Sequence, residues 1–182
     1  MPHQSSKNPK DALSPKALVT FVPMPAVDAE SGAITQPETR EFSAIRNGYT
    51  SFKEGDVIFA KITPCMENGK AAIARQLENS LGFGSTEFHV LRPTGAILPE
   101  FVYQFVRQEA FRKAAEAEMT GSVEQKRVPA DFMKAGGSEP NDADLDRAVP
   151  RHKSGVLHHR RDALALQIEL SVRVVDGAID AA

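Results

Sequence analysis

Residues 58–73 read "IFAKITPCMENGKAAI", two apolar runs on either side of a polar stretch. Asn68-Gly69 inside that stretch is a two-residue turn signal, because both residue types tolerate positive φ. The reading is a β-hairpin whose strands are the apolar flanks, with Lys61, Thr63 and Lys70 near one tip. A phosphate-cradling loop would need Gly-x4-Gly-Lys-Ser/Thr, and only Gly69-Lys70 is present, followed by Ala71. A nucleophilic cysteine needs a base. Cys65 lies between Pro64 and Met66, and His89 is the one histidine of the central region. A small buried thiol is the plainer reading. The residues alone leave two fates for the lysines, a solvated tip or a loop that faces phosphate.

Outward from the hairpin, strand patterns dominate. "ALVTFVPM" (17–24) reads as a first strand broken by Pro23 and Pro25, and "DAESGAI" (28–34) as a turn closed by Gly32. "TREFSAIRNG" (39–48) has the pattern of a short helix stopped at Asn47-Gly48. "YTSFKEGDVIFAKI" (49–62) reads as strand, turn, strand, and "STEFHVLRP" (85–93) as a further strand. "LPEFVYQFVRQEAFRKAAEAEM" (98–119) predicts the one main helix. Pro99 suits its first turn, Leu98, Phe101, Val102, Phe105 and Val106 form its apolar stripe, and Glu109 and Lys113 make an i,i+4 pair. "SVEQKRV" (122–128) is a short polar strand or loop. It sets Ser122, Gln125, Lys126 and Arg127 side by side, groups suited to phosphate and base-edge contact, although an exposed polar connection would look the same. The expected fold class is α+β: a mostly antiparallel sheet with one helix over 99–118, flanked by irregular tails.

At 182 residues the chain has room for one domain plus tails. No run approaches the roughly 18 apolar residues that cross a bilayer, and the N-terminus lacks an apolar secretory core, so a cytoplasmic location is expected. A single cysteine excludes an intrachain disulfide and makes a thiolate metal site improbable, and His152, His158 and His159 lack zinc-site carboxylate spacing. Neither a metal nor a cofactor is expected. The formal net charge of −2 excludes a globally basic nucleic-acid binder but not a local basic face. Positive charge gathers at Arg147, Arg151, Lys153, Arg160 and Arg161.

Three ordered stretches, "FKEGDVIFAKITPCMENGKAAIA" (52–74), "GFGSTEFHVLRP" (82–93) and "MTGSVEQKRVPADFM" (119–133), together resemble the target recognition domain of type I restriction–modification specificity subunits. The opening "TFVPMPAVDAESGAI" (20–34) resembles the start of such domains, so the likeness covers roughly 19–134. The resemblance implies a non-catalytic subunit that reads double-stranded DNA. It would act with an adenine-N6 methyltransferase subunit, which uses S-adenosylmethionine, and with a restriction subunit. Carried over by position, the implied DNA-binding residues are Lys61, Thr63 and Lys70 in the hairpin, Ser85 and Thr86 in "GST", and Ser122, Gln125, Lys126 and Arg127 in the last motif.

The chain departs from the family in three respects. One recognition domain is present where the family has two. Glu124 places a carboxylate where a small residue is expected, which would weaken phosphate contact. After the third motif, "KAGGSEPNDADLDRAVPRHKSG" (134–155) carries neither the expected proline segment nor a helical period. Residues 164–174 then alternate apolar and polar as a strand with no evident partner, an aggregation hazard. The expected organisation is therefore a disordered tail over 1–16, a DNA target recognition domain over 17–134, and an irregular tail over 135–182 translated from another reading frame. The alternative function is a truncated remnant that binds no DNA specifically.

Overall fold

The computed structural model describes residues 13–94, 97–122, 125–134 and 172–175. Most of the expected tails, 1–12, 135–171 and 176–182, lie outside the described residues.

Two four-stranded sheets form the body. The first has the order β2 (Glu38–Glu41), β1 (Leu18–Val22), β6 (Leu81–Gly84), β3 (Thr50–Lys53). The second has the order β10 (Val172–Val175), β7 (Phe88–Pro93), β4 (Val57–Ala60), β5 (Ala71–Ile73). All pairings are antiparallel except β1 with β6. A separate hairpin joins β8 (Thr120–Ser122) to β9 (Gln125–Arg127).

The two sheets share chain directly. β3 runs into β4, and β6 into β7, so each of these near-continuous strands leaves one sheet and enters the other. The first crossing turns at Gly55, whose φ of +84° favours glycine. The next residue, Asp56, is buried and accepts hydrogen bonds from the Lys53 amide at 2.7 Å and from the Arg92 fork at 2.8 and 2.7 Å. A buried carboxylate demands such partners, and here they tie the crossing to β7.

Alternation along the strands divides the core into three layers. Val22, Phe52, Ile58, Ala72, Phe88 and Val90 meet in one cluster drawn from both sheets. Val19, Phe21, Leu81 and Phe83 pack with Phe42 and Ile45 of the one-turn helix α1 (Phe42–Ile45). Val57, Phe59 and Leu91 pack against α2 (Pro99–Val106), α3 (Glu109–Ala117) and α4 (Ala130–Lys134) through Val102, Val106, Phe111, Ala115, Phe132 and Met133. Mixed sheets with few helices make this an α+β fold, as the sequence implies.

Four expectations change in detail. The 39–48 stretch is half strand: Thr39, Arg40 and Glu41 belong to β2, which pairs with β1, and only Phe42–Ile45 is helical. The main helix is two helices, because Gln108 is extended at ψ 138°. The buried pairs Val102/Val106 and Phe111/Ala115 each keep helical spacing, but the step from 106 to 111 loses the period, and the break restores both faces to the core. Leu98 and Phe101, assigned to the buried stripe, are instead exposed. Residues just before Ala17, read as part of a disordered tail, join the body: Leu13 packs against the first sheet, and the Pro15 carbonyl accepts the Ser43 amide at 2.9 Å. The Glu109–Lys113 pair is present at 2.7 Å.

Candidate nucleic-acid interface

β4 and β5 form the hairpin read from residues 58–73, with Val57 opposite Ile73 and Phe59 opposite Ala71. Its connection is not the tight turn expected of Asn68-Gly69. The chain makes α-type turns, Met66 N–H to Ile62 O at 2.9 Å and Asn68 N–H to Pro64 O at 3.0 Å, after a cis Thr63–Pro64 bond. Only Gly69 of the Asn-Gly pair is left-handed, at φ +71°, where it ends those turns as a glycine ends a helix. Met66, fully buried, plugs the loop into the helical core, and Arg112 of α3 donates to the Glu67 carbonyl at 3.1 Å.

Onto this loop the chain brings two other stretches. The Lys61 amide donates to Glu87 O at 2.9 Å, and the Val128 amide donates to Lys61 O at 2.8 Å. The Thr63 amide donates to Lys126 O at 3.1 Å, and Ile62 bridges Arg127. Main-chain bonds thus stitch 61–63, 85–87 and 125–128 into one ridge. Side chains lock it. Arg127 grips Glu87 through Nε and Nη2 at 2.9 Å, and the buried His89 bonds Val128 O through Nε2 at 2.9 Å. A carbonyl only accepts, so Nε2 carries the proton. The Arg127 guanidinium, with smaller effects from Lys61 and His89, holds the Glu87 carboxyl below its ordinary range. Glu87 in turn holds the Arg127 guanidinium charged. Thr86, Ser122, Gln125 and Lys126 are exposed on this ridge and Lys61, Thr63 and Ser85 are half-buried. Ser85 Oγ accepts the Glu87 amide at 3.2 Å.

No protein-family model matches the chain. Among curated proteins, the specificity subunit of the type I restriction enzyme EcoAI from Escherichia coli is 40% identical over 129 residues, 70% of this chain. The EcoEI specificity subunit of the same organism is 36% identical over 129 residues, again 70% of this chain. Over this stretch the chain is similar to the type I specificity subunits. It spans 22% of the length of each of these curated relatives. In fold it is similar to the crystal structure of an HsdS subunit from Thermoanaerobacter tengcongensis, at a TM-score of 0.51 and 21% identity, over 69% of this chain and 31% of that one.

Of the site residues expected in this specificity-subunit domain, eight lie on the ridge and Lys70 does not. Its ammonium donates to the carbonyls of Met24 at 3.2 Å and Val27 at 2.9 Å, half-buried, so it braces the turn after β1. In that turn Ser31 hydrogen bonds, with a smaller effect from Lys70, hold the Asp28 carboxyl below its ordinary value. Arg107 supports the same turn by donating to the carbonyls of Ala29 at 2.9 Å and Glu30 at 3.1 Å and to the Tyr103 hydroxyl. Glu87 is absent from the expected site residues, and His89 enters the sequence reading only as a base for Cys65. Their position, two apart on a strand with Phe88 between, reads as a polar face, whereas His89 is buried under Val128. Cys65 is half-buried in the loop. Among the described residues no group of His, Cys, Asp and Glu could hold a metal ion, and no helix is long and apolar enough to cross a membrane.

Proposed function

We propose that residues 17–134 form a target recognition domain that binds double-stranded DNA in a sequence-dependent way as part of a type I specificity subunit, with no catalytic step of its own. The observation that carries the reading is the 40% identity to a specificity subunit over a stretch whose three motif segments close on one ridge. Lys61 and Lys126 would meet phosphate, Thr63, Ser85, Thr86 and Ser122 would add hydroxyl contacts, and Gln125 would reach a base edge, where an amide pairs well with adenine. Lys70 is engaged with carbonyls and takes no part. An adenine-N6 methyltransferase subunit and a restriction subunit are the proposed partners, in the cytoplasm, and they would carry the chemistry.

Selection from a randomised duplex library, followed by titration over a salt range, tests this. One duplex family should be enriched, with log affinity falling by about 0.9 per phosphate neutralised as log salt rises. Lys126→Gln should shrink that slope by about one unit and leave the enriched sequence unchanged, while Gln125→Ala should relax preference at one position. Absence of any enriched duplex would instead mark the chain as a remnant without specific binding.

A further inference from the structure

Arg127 and Glu87 face each other at the base of the ridge, and their disposition bears on the DNA-recognition reading, on which the following rests. The Arg127 side chain makes three bonds to the Glu87 carboxylate, at 2.9 to 3.1 Å, and one from Nη1 to the Gln125 carbonyl at 3.3 Å. The Nε–Nη2 edge of the guanidinium, one of the edges that could grip a phosphate or a guanine, is therefore already taken. Glu87 is 23% exposed and Arg127 41%, so the pair sits beneath the outermost side chains of the hairpin. A carboxylate on a DNA-facing ridge repels phosphate, and here it is bound to Arg127 instead.

We infer that Glu87 is a positioning residue: through Arg127 it fixes the β8–β9 hairpin against the 61–64 loop, so that Gln125 and Lys126 are presented to DNA while Arg127 itself touches none. β8 and β9 are three residues each, all but Arg127 exposed, and a two-stranded ribbon of that size has little stability alone. It is anchored at one end by the Thr63–Lys126 and Lys61–Val128 main-chain bonds, and at the side by the ion pair. Removing the carboxylate leaves the backbone bonds and frees the ribbon to pivot about them. The consequence has an unusual sign. Neutralising an acid near DNA ordinarily tightens binding, whereas neutralising this one weakens it.

The test uses the full chain as wild type, Glu87→Gln, Arg127→Gln and the reversed pair Glu87→Arg/Arg127→Glu. Amide hydrogen exchange over 120–127 is read without DNA, and affinity and salt slope are read on the enriched duplex. Glu87→Gln should speed exchange of the Gln125 to Arg127 amides and weaken binding, each by about tenfold, with the salt slope unchanged. The reversed pair should regain most of both, and it reports on the clamp if the single variants fold poorly. Unchanged exchange, tighter binding by Glu87→Gln, or a slope about one unit smaller in Arg127→Gln would each overturn the assignment. The exchange arm needs no DNA. A wild-type chain that prefers no duplex would therefore remove the recognition reading while the clamp still stands or falls on its own amides.

Discussion

Glu87 couples the ridge to pH. Arg127, Lys61 and His89 are the charged and titratable groups that face it, and the Arg127 hydrogen bonds hold its carboxyl below the ordinary 4.5. Between the lowered folded value and 4.5 the unfolded chain binds a proton that the folded chain does not, so stability rises with pH there. The contribution is fully present above 4.5 and is lost as pH falls through the folded value. Denaturant midpoints of wild type and Glu87→Gln should differ at neutral pH and converge toward acid, and a difference constant with pH would show that the carboxylate is not the group at work. Asp56 stands in contrast. It is buried on the far end of β4, and its bonds to the Lys53 amide and Arg92 hold the crossing between sheets, so its role belongs to folding.

At the scale of elements, close approach decides what a strand can contain. In the ladder of β3 with β6, Phe52 stands opposite Gly82, and its ring lies over the glycine. A Cβ at Gly82 would sit 2.1 Å from the Phe52 ring, which is fully buried and has nowhere to move. Gly82→Ala should cost about 2 kcal/mol in urea unfolding through overpacking, and Gly82→Ala with Phe52→Leu should recover part of it. An equal loss in both would place the cost in the backbone instead. The helices follow a similar logic. α2 and α3 exist as two pieces because one straight helix could not keep both Val106 and Phe111 against β4, and Phe111 packs edge-on to Phe59 at 5.9 Å between ring centroids.

For the whole molecule, the edge of β7 that β10 covers is the telling feature. β10 lies antiparallel along it, Val174 opposite Leu91 and Val175 opposite Val90, and Val174 packs half-buried against the helical core. The alternating run of 164–174 thus has a partner for its last residues, and 164–171 lie outside the described residues. Pairing blunts an edge that would otherwise invite other strands. Val174→Asp sets a carboxylate against that apolar cluster and should destabilise β10 docking by about 2 kcal/mol. The amides of Leu91 and Val90 should then exchange faster and the chain should self-associate more readily in sedimentation, whereas unaltered exchange would mean that β10 adds nothing to the edge.

What local pattern encodes was readable from the residues. Apolar runs and turn formers located β1, β3, β4, β7 and the 58–73 hairpin, because alternation and glycine conformation are properties of neighbours in sequence. The ordered motifs also pointed to the specificity-subunit relatives. Tertiary structure alone decided the rest. Nothing local tells β3 and β4 to enter different sheets, since that depends on which strands lie beside them. The helical period around 98–108 is strong enough to read as one helix until the core's shape demands a break. Lys70 looks like a phosphate ligand until carbonyls from 46 and 43 residues earlier take its ammonium. The Glu87–Arg127 and His89–Val128 bonds join positions about 40 residues apart, a distance over which side-chain pairing leaves no periodic trace in a single sequence.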